Sequence, residues 1–151
     1  MKKLLLPLIF ASAICFTGCS KNTDKTIIST PNAPAAIGPY SQGVIIDNIA
    51  YLSGQIALDP ATGLLVGTNV KEQTTQVFKN ISAILEAANT NLDNVIKTTV
   101  YLVDMNDFND MNSVYSTYFK EGNYPSRSCV EVSELPKGAL IEIEVIALFK
   151  N

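Results

Sequence analysis

The sequence predicts an α+β fold, a mixed β-sheet with two helices packed on one face. Three observations carry this. Apolar residues recur at helical spacing from Val70 to Ala88, and again over a shorter stripe from Phe108 to Phe119. Between and around them lie β-branched or alternating runs typical of strands. The 151 residues suit one domain, since domains of ~100–150 residues are the commonest size.

Taken in order, Met1-Lys2-Lys3 is a cationic start and Leu4 to Phe16 an almost unbroken apolar run. That run is shorter than the ~20 residues that cross a bilayer, and it reads as a secretory signal peptide. Phe16-Thr17-Gly18-Cys19 looks like a bacterial lipobox, in which Cys19 becomes the lipidated first residue. The expected division is a lipoprotein signal peptide over 1–18, lipidated Cys19 and a short polar tether over 19–24, and a folded domain over 25–151. An ordinary cleaved signal peptide and a retained anchor are the alternatives. The expected location is the bacterial cell envelope, periplasmic or surface-facing, with the membrane reached only through the lipid.

Within the domain, Lys25 to Ile28 can begin a strand, and Pro31 to Pro34 with Gly38-Pro39 punctuates a loop. Val44 to Ile46 and Ile49 to Leu52 flank the turn residues Asp47-Asn48, a hairpin signal. Thr68 or Asn69 caps the long helix, whose Val70, Thr74, Val77, Ile81, Ile84, Leu85 and Ala88 share one face. It should end near Asn89–Asn91. Val95 to Val103 reads as a strand. Asp107 caps a second helix with Phe108, Met111, Tyr115, Tyr118 and Phe119 on its stripe, and Gly122 to Pro125 breaks the chain. Ser128 to Val132 and Ile141 to Leu148 are the last strands. The resulting order is β-β-α-β-α-β-β.

Composition excludes several chemistries. The net charge is −3 and the pI near 4.8, with no histidine, no tryptophan and one arginine, Arg127. Loss of Lys2 and Lys3 with the signal peptide takes the basic count from 11 to 9 against 14 acidic residues, a net of −5. A histidine-dependent triad or zinc site is impossible, and the basic stripe that nucleic acid demands is missing. Cys129 is the one cysteine of the domain, so no disulfide forms within it. Spacings for a metal site, a phosphate loop or a dinucleotide fingerprint do not occur, so neither metal nor cofactor is expected.

A few residues could carry chemistry. Arg127 offers a permanently charged planar fork that matches a carboxylate; the competing reading is a surface ion pair worth ~0–1 kcal/mol. Strand alternation puts Arg127, Cys129 and Glu131 on one side and Ser128, Val130 and Val132 on the other. Glu142 and Glu144 alternate with Ile141, Ile143 and Val145. An exposed strand face explains both, but a cavity there would raise the Glu142 pKa by desolvation and make it a base near neutral pH. Asn112 interrupts the apolar stripe of the second helix. Cys129, with no histidine to activate it, reads as an inert thiol. Gly38-Pro39-Tyr40-Ser41 and Ser53-Gly54-Gln55 supply hydroxyls and exposed N–H groups of the kind that line ligand pockets.

Together, Asn32-Ala33-Pro34-Ala35-Ala36-Ile37-Gly38-Pro39-Tyr40-Ser41-Gln42-Gly43, Ser53-Gly54-Gln55, Pro125-Ser126-Arg127-Ser128-Cys129-Val130-Glu131-Val132, Leu135-Pro136-Lys137 and Ile141-Glu142-Ile143-Glu144 resemble the reactive intermediate deaminase (Rid, formerly YjgF) family. The likeness is to its archetypal imine-deaminase subgroup, whose hallmark is an arginine before Ser-Cys-Val-Glu, and it runs from about Lys25 to the C-terminus. The resemblance implies a chorismate-mutase-like fold, a homotrimer with ligand sites in the clefts between subunits, and hydrolysis of 2-iminopropanoate and 2-iminobutanoate to 2-oxo acids and ammonia. It implies that Arg127 clamps the substrate carboxylate and that Glu142 positions or activates water beside the Cys129 backbone carbonyl. Tyr40, Ser53, Gly54 and Asn112 would line the pocket, Tyr40 from a neighbouring subunit. A non-catalytic trimer that binds small carboxylates or acts as a scaffold at the envelope is the main alternative. Ribonuclease activity, attributed to some relatives, fits poorly with the acidic charge.

Overall fold

Alternation of buried and exposed residues defines the strands of the structure, a computed structural model that describes residues 24–149. The expected signal peptide and Cys19 lie outside the described residues. Strands β1 (Thr26–Ile28), β2 (Gly43–Ile46) and β3 (Ile49–Gln55) precede helix α1 (Val70–Ala87). Then come β4 (Val95–Leu102), α2 (Phe108–Tyr115), β5 (Ser126–Glu131) and β6 (Ile141–Leu148). Three strands therefore precede the first helix, where the expected order has two. The one that count omits is Thr26–Ile28, which falls in the Lys25–Ile28 segment read as a strand start and gains its ladder from β2.

The six strands form one sheet in the order β1-β2-β3-β6-β4-β5. Every pair is antiparallel except β4 with β5, which run parallel because α2 carries the chain back between them. Helices α1 and α2 pack on one face, as expected. Val77, Phe78, Ile81, Ile84 and Leu85 of α1 meet Val100 and Leu102 of β4 and Ile141, Ile143 and Val145 of β6 in one core. The opposite face of the sheet carries no helix among the described residues.

Capping agrees with local chemistry at α1 and corrects it at α2. Asn69 caps α1, its side chain accepting from the Glu72 N–H at 3.0 Å, while Glu72 accepts from the Thr68 N–H at 2.8 Å. The helix ends at Ala87, and Asn89 turns the chain at φ 53°. Asp107 makes no cap hydrogen bond; Asp104 caps a short 3-10 turn ahead of it, accepting from the Asn106 N–H at 2.8 Å. Met111, Tyr115 and Phe119 form the buried stripe of this region, and Phe78 stacks on Tyr118 at 4.3 Å between ring centroids.

Polar side chains of α1 tie down the chain beyond β3. The Asn80 amide donates to the Leu58 and Ile56 carbonyls at 2.9 and 3.1 Å, and Gln76 donates to Asn80 Oδ1 at 2.9 Å. Gln73 accepts from the Leu140 N–H at 2.8 Å. These bonds fix one wall of the cleft described next.

Candidate functional site

Two irregularities place small residues beside an acidic strand. Between Leu52 and Gln55 the register of β3 against β6 slips, so that Ser53 and Gly54 bulge opposite Glu144. The Gln42 amide, buried, gathers the preceding loop: it accepts from the Thr30 N–H at 2.7 Å and donates to the Pro34 carbonyl at 2.8 Å. Ser53 donates to the Ser41 carbonyl at 2.7 Å. The result is a cleft of about 490 Å³ on the helix-free side of the sheet, walled by Ala36, Tyr40, Ser53, Gly54, Glu142 and Glu144 among others.

Glu142 is the half-buried acid of this cleft. Burial pushes its carboxyl above the ordinary carboxylate range, and the neighbouring Glu144 pushes it the same way. Tyr101, paired across the ladder with Glu142, is likewise raised, first by burial and then by both glutamates. Gly54 is required here by space: a Cβ on it would lie 2.7 Å from Glu142 Cδ and overlap the carboxylate oxygen. Tyr40 is exposed at the cleft edge, its hydroxyl accepting from the Ile37 N–H at 3.2 Å.

Arg127 sits elsewhere. In β5 it pairs with Thr98 of β4, whose hydroxyl meets the Tyr115 hydroxyl of α2 at 2.8 Å, so Arg127 faces the helices. Its guanidinium carbon lies 4.5 Å from the Tyr115 ring centroid and 5.6 Å from that of Phe108. Nη1 is 4.0 Å from Met111 Sδ. Among the described residues it has no carboxylate partner, which removes the surface ion pair as an explanation. A shallow pocket in front of it is lined by Asn112, Tyr115, Ser116, Tyr124 and Pro125. Asn112 is half-buried at this pocket and does not interrupt the stripe, which runs through Met111 and Tyr115 one residue to the side. Cys129 follows Arg127 on the same face, and burial pushes its thiol up, against a smaller opposing effect of Arg127.

The expected site residues thus fall into two groups on opposite faces of the sheet. Tyr40, Ser53, Gly54 and Glu142 share the cleft; Arg127 and Asn112 share the pocket, with Cys129 beside them. Sequence reading missed Gln42 and Tyr115. Gln42 looks like any loop amide until the carbonyls around it are seen, and Tyr115 is indistinguishable from a core aromatic. No group of three or more acidic or cysteine side chains converges as a metal site among the described residues.

Residues 30–149 match the family described as Endoribonuclease L-PSP. The chain belongs to this family, which is also called Rid. A RutC family protein of Pyrococcus horikoshii is 57% identical over 123 residues, 82% of this chain and 97% of the relative. The human 2-iminobutanoate/2-iminopropanoate deaminase is 51% identical over 82% of this chain and 90% of its own length. Among solved structures, a Rid family protein of unknown function from Yersinia pestis superposes with a TM-score of 0.80 at 51% identity, over 83% of this chain and 99% of that one. The Rid fold is the α+β architecture described above.

Proposed function

We propose that this protein hydrolyses small 2-imino acids, 2-iminopropanoate and 2-iminobutanoate with their enamine tautomers, to 2-oxo acids and ammonia, at sites shared between copies of a homotrimer. The observation that carries the reading is the separation of Arg127 from Glu142 on opposite faces of one sheet. One copy cannot bring both to one substrate. Two copies packed so that the helix-free face of one meets the Arg127 pocket of the next can do so, with Tyr40, Ser53 and Gly54 arriving alongside Glu142. The half-exposed Val44, Ile49, Ile146 and Leu148 on that face give such packing an apolar surface to bury.

The chemistry suits this residue set. Arg127 meets the substrate carboxylate through two parallel hydrogen bonds. With the substrate as its iminium, Glu142 takes a proton from water as the oxygen adds to the C=N carbon, giving a neutral carbinolamine. It returns that proton to nitrogen, and as the C–N bond breaks and ammonia leaves, the hydroxyl gives up its proton and the C=O bond forms. The imine carbon is already electrophilic, so holding water and substrate together is the main demand. Neither a histidine nor a covalent nucleophile is called for.

The test is ammonia release from freshly generated 2-iminopropanoate. Purified protein should accelerate it well beyond the uncatalysed rate. No acceleration, with a small 2-oxo acid still bound, would leave the non-catalytic binding trimer in its place. We further propose that the chain is held at the bacterial envelope through lipid on Cys19, a reading supported by the Leu4–Cys19 pattern. Labelled palmitate should enter the full chain in a bacterial host and be lost in Cys19→Ser.

A further inference from the structure

A lone arginine with no carboxylate partner is a flexible tool unless something fixes its plane. The chain surrounds Arg127 with apolar groups from α2: the Tyr115 ring at 4.5 Å, the Phe108 ring at 5.6 Å and the Met111 sulfur at 4.0 Å from Nη1. The Tyr115 ring is itself held. Its hydroxyl is bonded to Thr98 at 2.8 Å, directly across the ladder from Arg127. Its flanks meet Phe78 edge-on at 5.5 Å and Phe119 at 4.9 Å. It is 5% exposed, so it has little room to turn.

We propose that Tyr115, locked by Thr98, is a positioning residue: its ring is the shelf that fixes the plane of the Arg127 guanidinium and turns its free edge toward an incoming carboxylate. The role in catalysis rests on the reading of Arg127 as the carboxylate clamp; the stacking does not. A guanidinium over an aromatic face keeps its in-plane N–H donors available, because the ring attracts the flat side of the cation. Burial also holds the phenol above its usual pKa, so the shelf stays neutral and does not compete with substrate as an anion. Lost motion before binding is affinity gained on binding, since less side-chain freedom remains to be removed.

Arg127 is the single arginine of the chain, which makes the test direct. Protein labelled with 15N-arginine gives one side-chain Nε–Hε signal. In the wild type that signal should lie upfield of free arginine through the ring current of Tyr115, and it should stay there in Tyr115→Phe. In Tyr115→Leu it should return toward the free position, and binding of the probe 2-oxobutanoate should weaken roughly 5- to 30-fold, the loss of a desolvated cation–π contact. Tyr115→Phe should rescue most of that binding, with KM for imine affected more than kcat. A wild-type signal at the free-arginine position overturns the shelf even if Tyr115→Leu fails to fold. So does an upfield signal that Tyr115→Leu leaves unchanged. If the signal behaves as expected while no imine is hydrolysed, the shelf stands and the deaminase reading falls.

Discussion

Arg127 and Glu142 are each held in a state that water would not favour, and in each case the neighbours say why. The guanidinium is half-buried with no counter-charge among the described residues, so an anionic ligand is the partner these surroundings lack. If Arg127 is the proposed carboxylate clamp, lysine keeps the charge but loses one of the two parallel bonds, so kcat/KM for 2-iminopropanoate should fall about 10- to 100-fold, given ~1.5–3 kcal/mol per charged hydrogen bond. Arg127→Ala should lose still more while the oligomer persists by light scattering. As the proposed base, Glu142 would work only when ionised, and both burial and Glu144 raise its pKa. Activity should therefore fall on acidification through a midpoint above the ordinary carboxylate range, and Glu144→Gln should move that midpoint down. Tyr101, paired across the ladder with Glu142, also borders the carboxylate, and burial with both glutamates holds its phenol neutral there. The sign for stability is opposite to that for activity. A carboxyl with a raised folded-state pKa favours folding while protonated and loses that contribution as pH rises, so Glu142→Gln should melt later than wild type at pH 7.

At the scale of elements, local chemistry was readable and pairing was not. The apolar stripe of α1, its Asn69 cap and the alternation of Ile141–Leu148 follow from period and residue type, and all three are found. β5 begins at Ser126, two residues before the expected Ser128, because Ser126-Arg127-Ser128 has no strand propensity of its own; the parallel ladder with β4 imposes the conformation. The bulge at Ser53-Gly54 was equally hidden, since it exists only as a register slip against β6. For the site, the residue types were legible as ligand chemistry, but the face each occupies depends on which strands are neighbours. Polar residues of α1 show how an element reaches the site without touching ligand. Asn80→Leu would take the side-chain donor from the Ile56 carbonyl and leave the Leu58 carbonyl only the 3.4 Å bond from Gln76. Urea denaturation should show a loss of about 1–3 kcal/mol, and an unchanged midpoint would mean that this clasp is idle.

At the scale of the whole molecule, the two-faced arrangement of Arg127 and Glu142 makes a demand that no single-copy site makes. If every site takes its arginine from one copy and its glutamate from the next, two inactive variants can repair each other. Arg127→Ala supplies an intact Glu142, and Glu142→Gln supplies an intact Arg127. Expressed together in equal amounts, they should assemble at random into mixed trimers. Each site then draws one of two variants at each of its two positions, so about a quarter of the sites are complete. Activity should recover to about that fraction of the wild-type level, while the same variants assembled separately and mixed without exchange stay inactive. A site confined to one copy predicts no recovery at any ratio, because every copy carries one lesion. Recovery that follows the ratio of the two variants, with a maximum at equality, is the result expected of a cleft and a pocket joined across an interface.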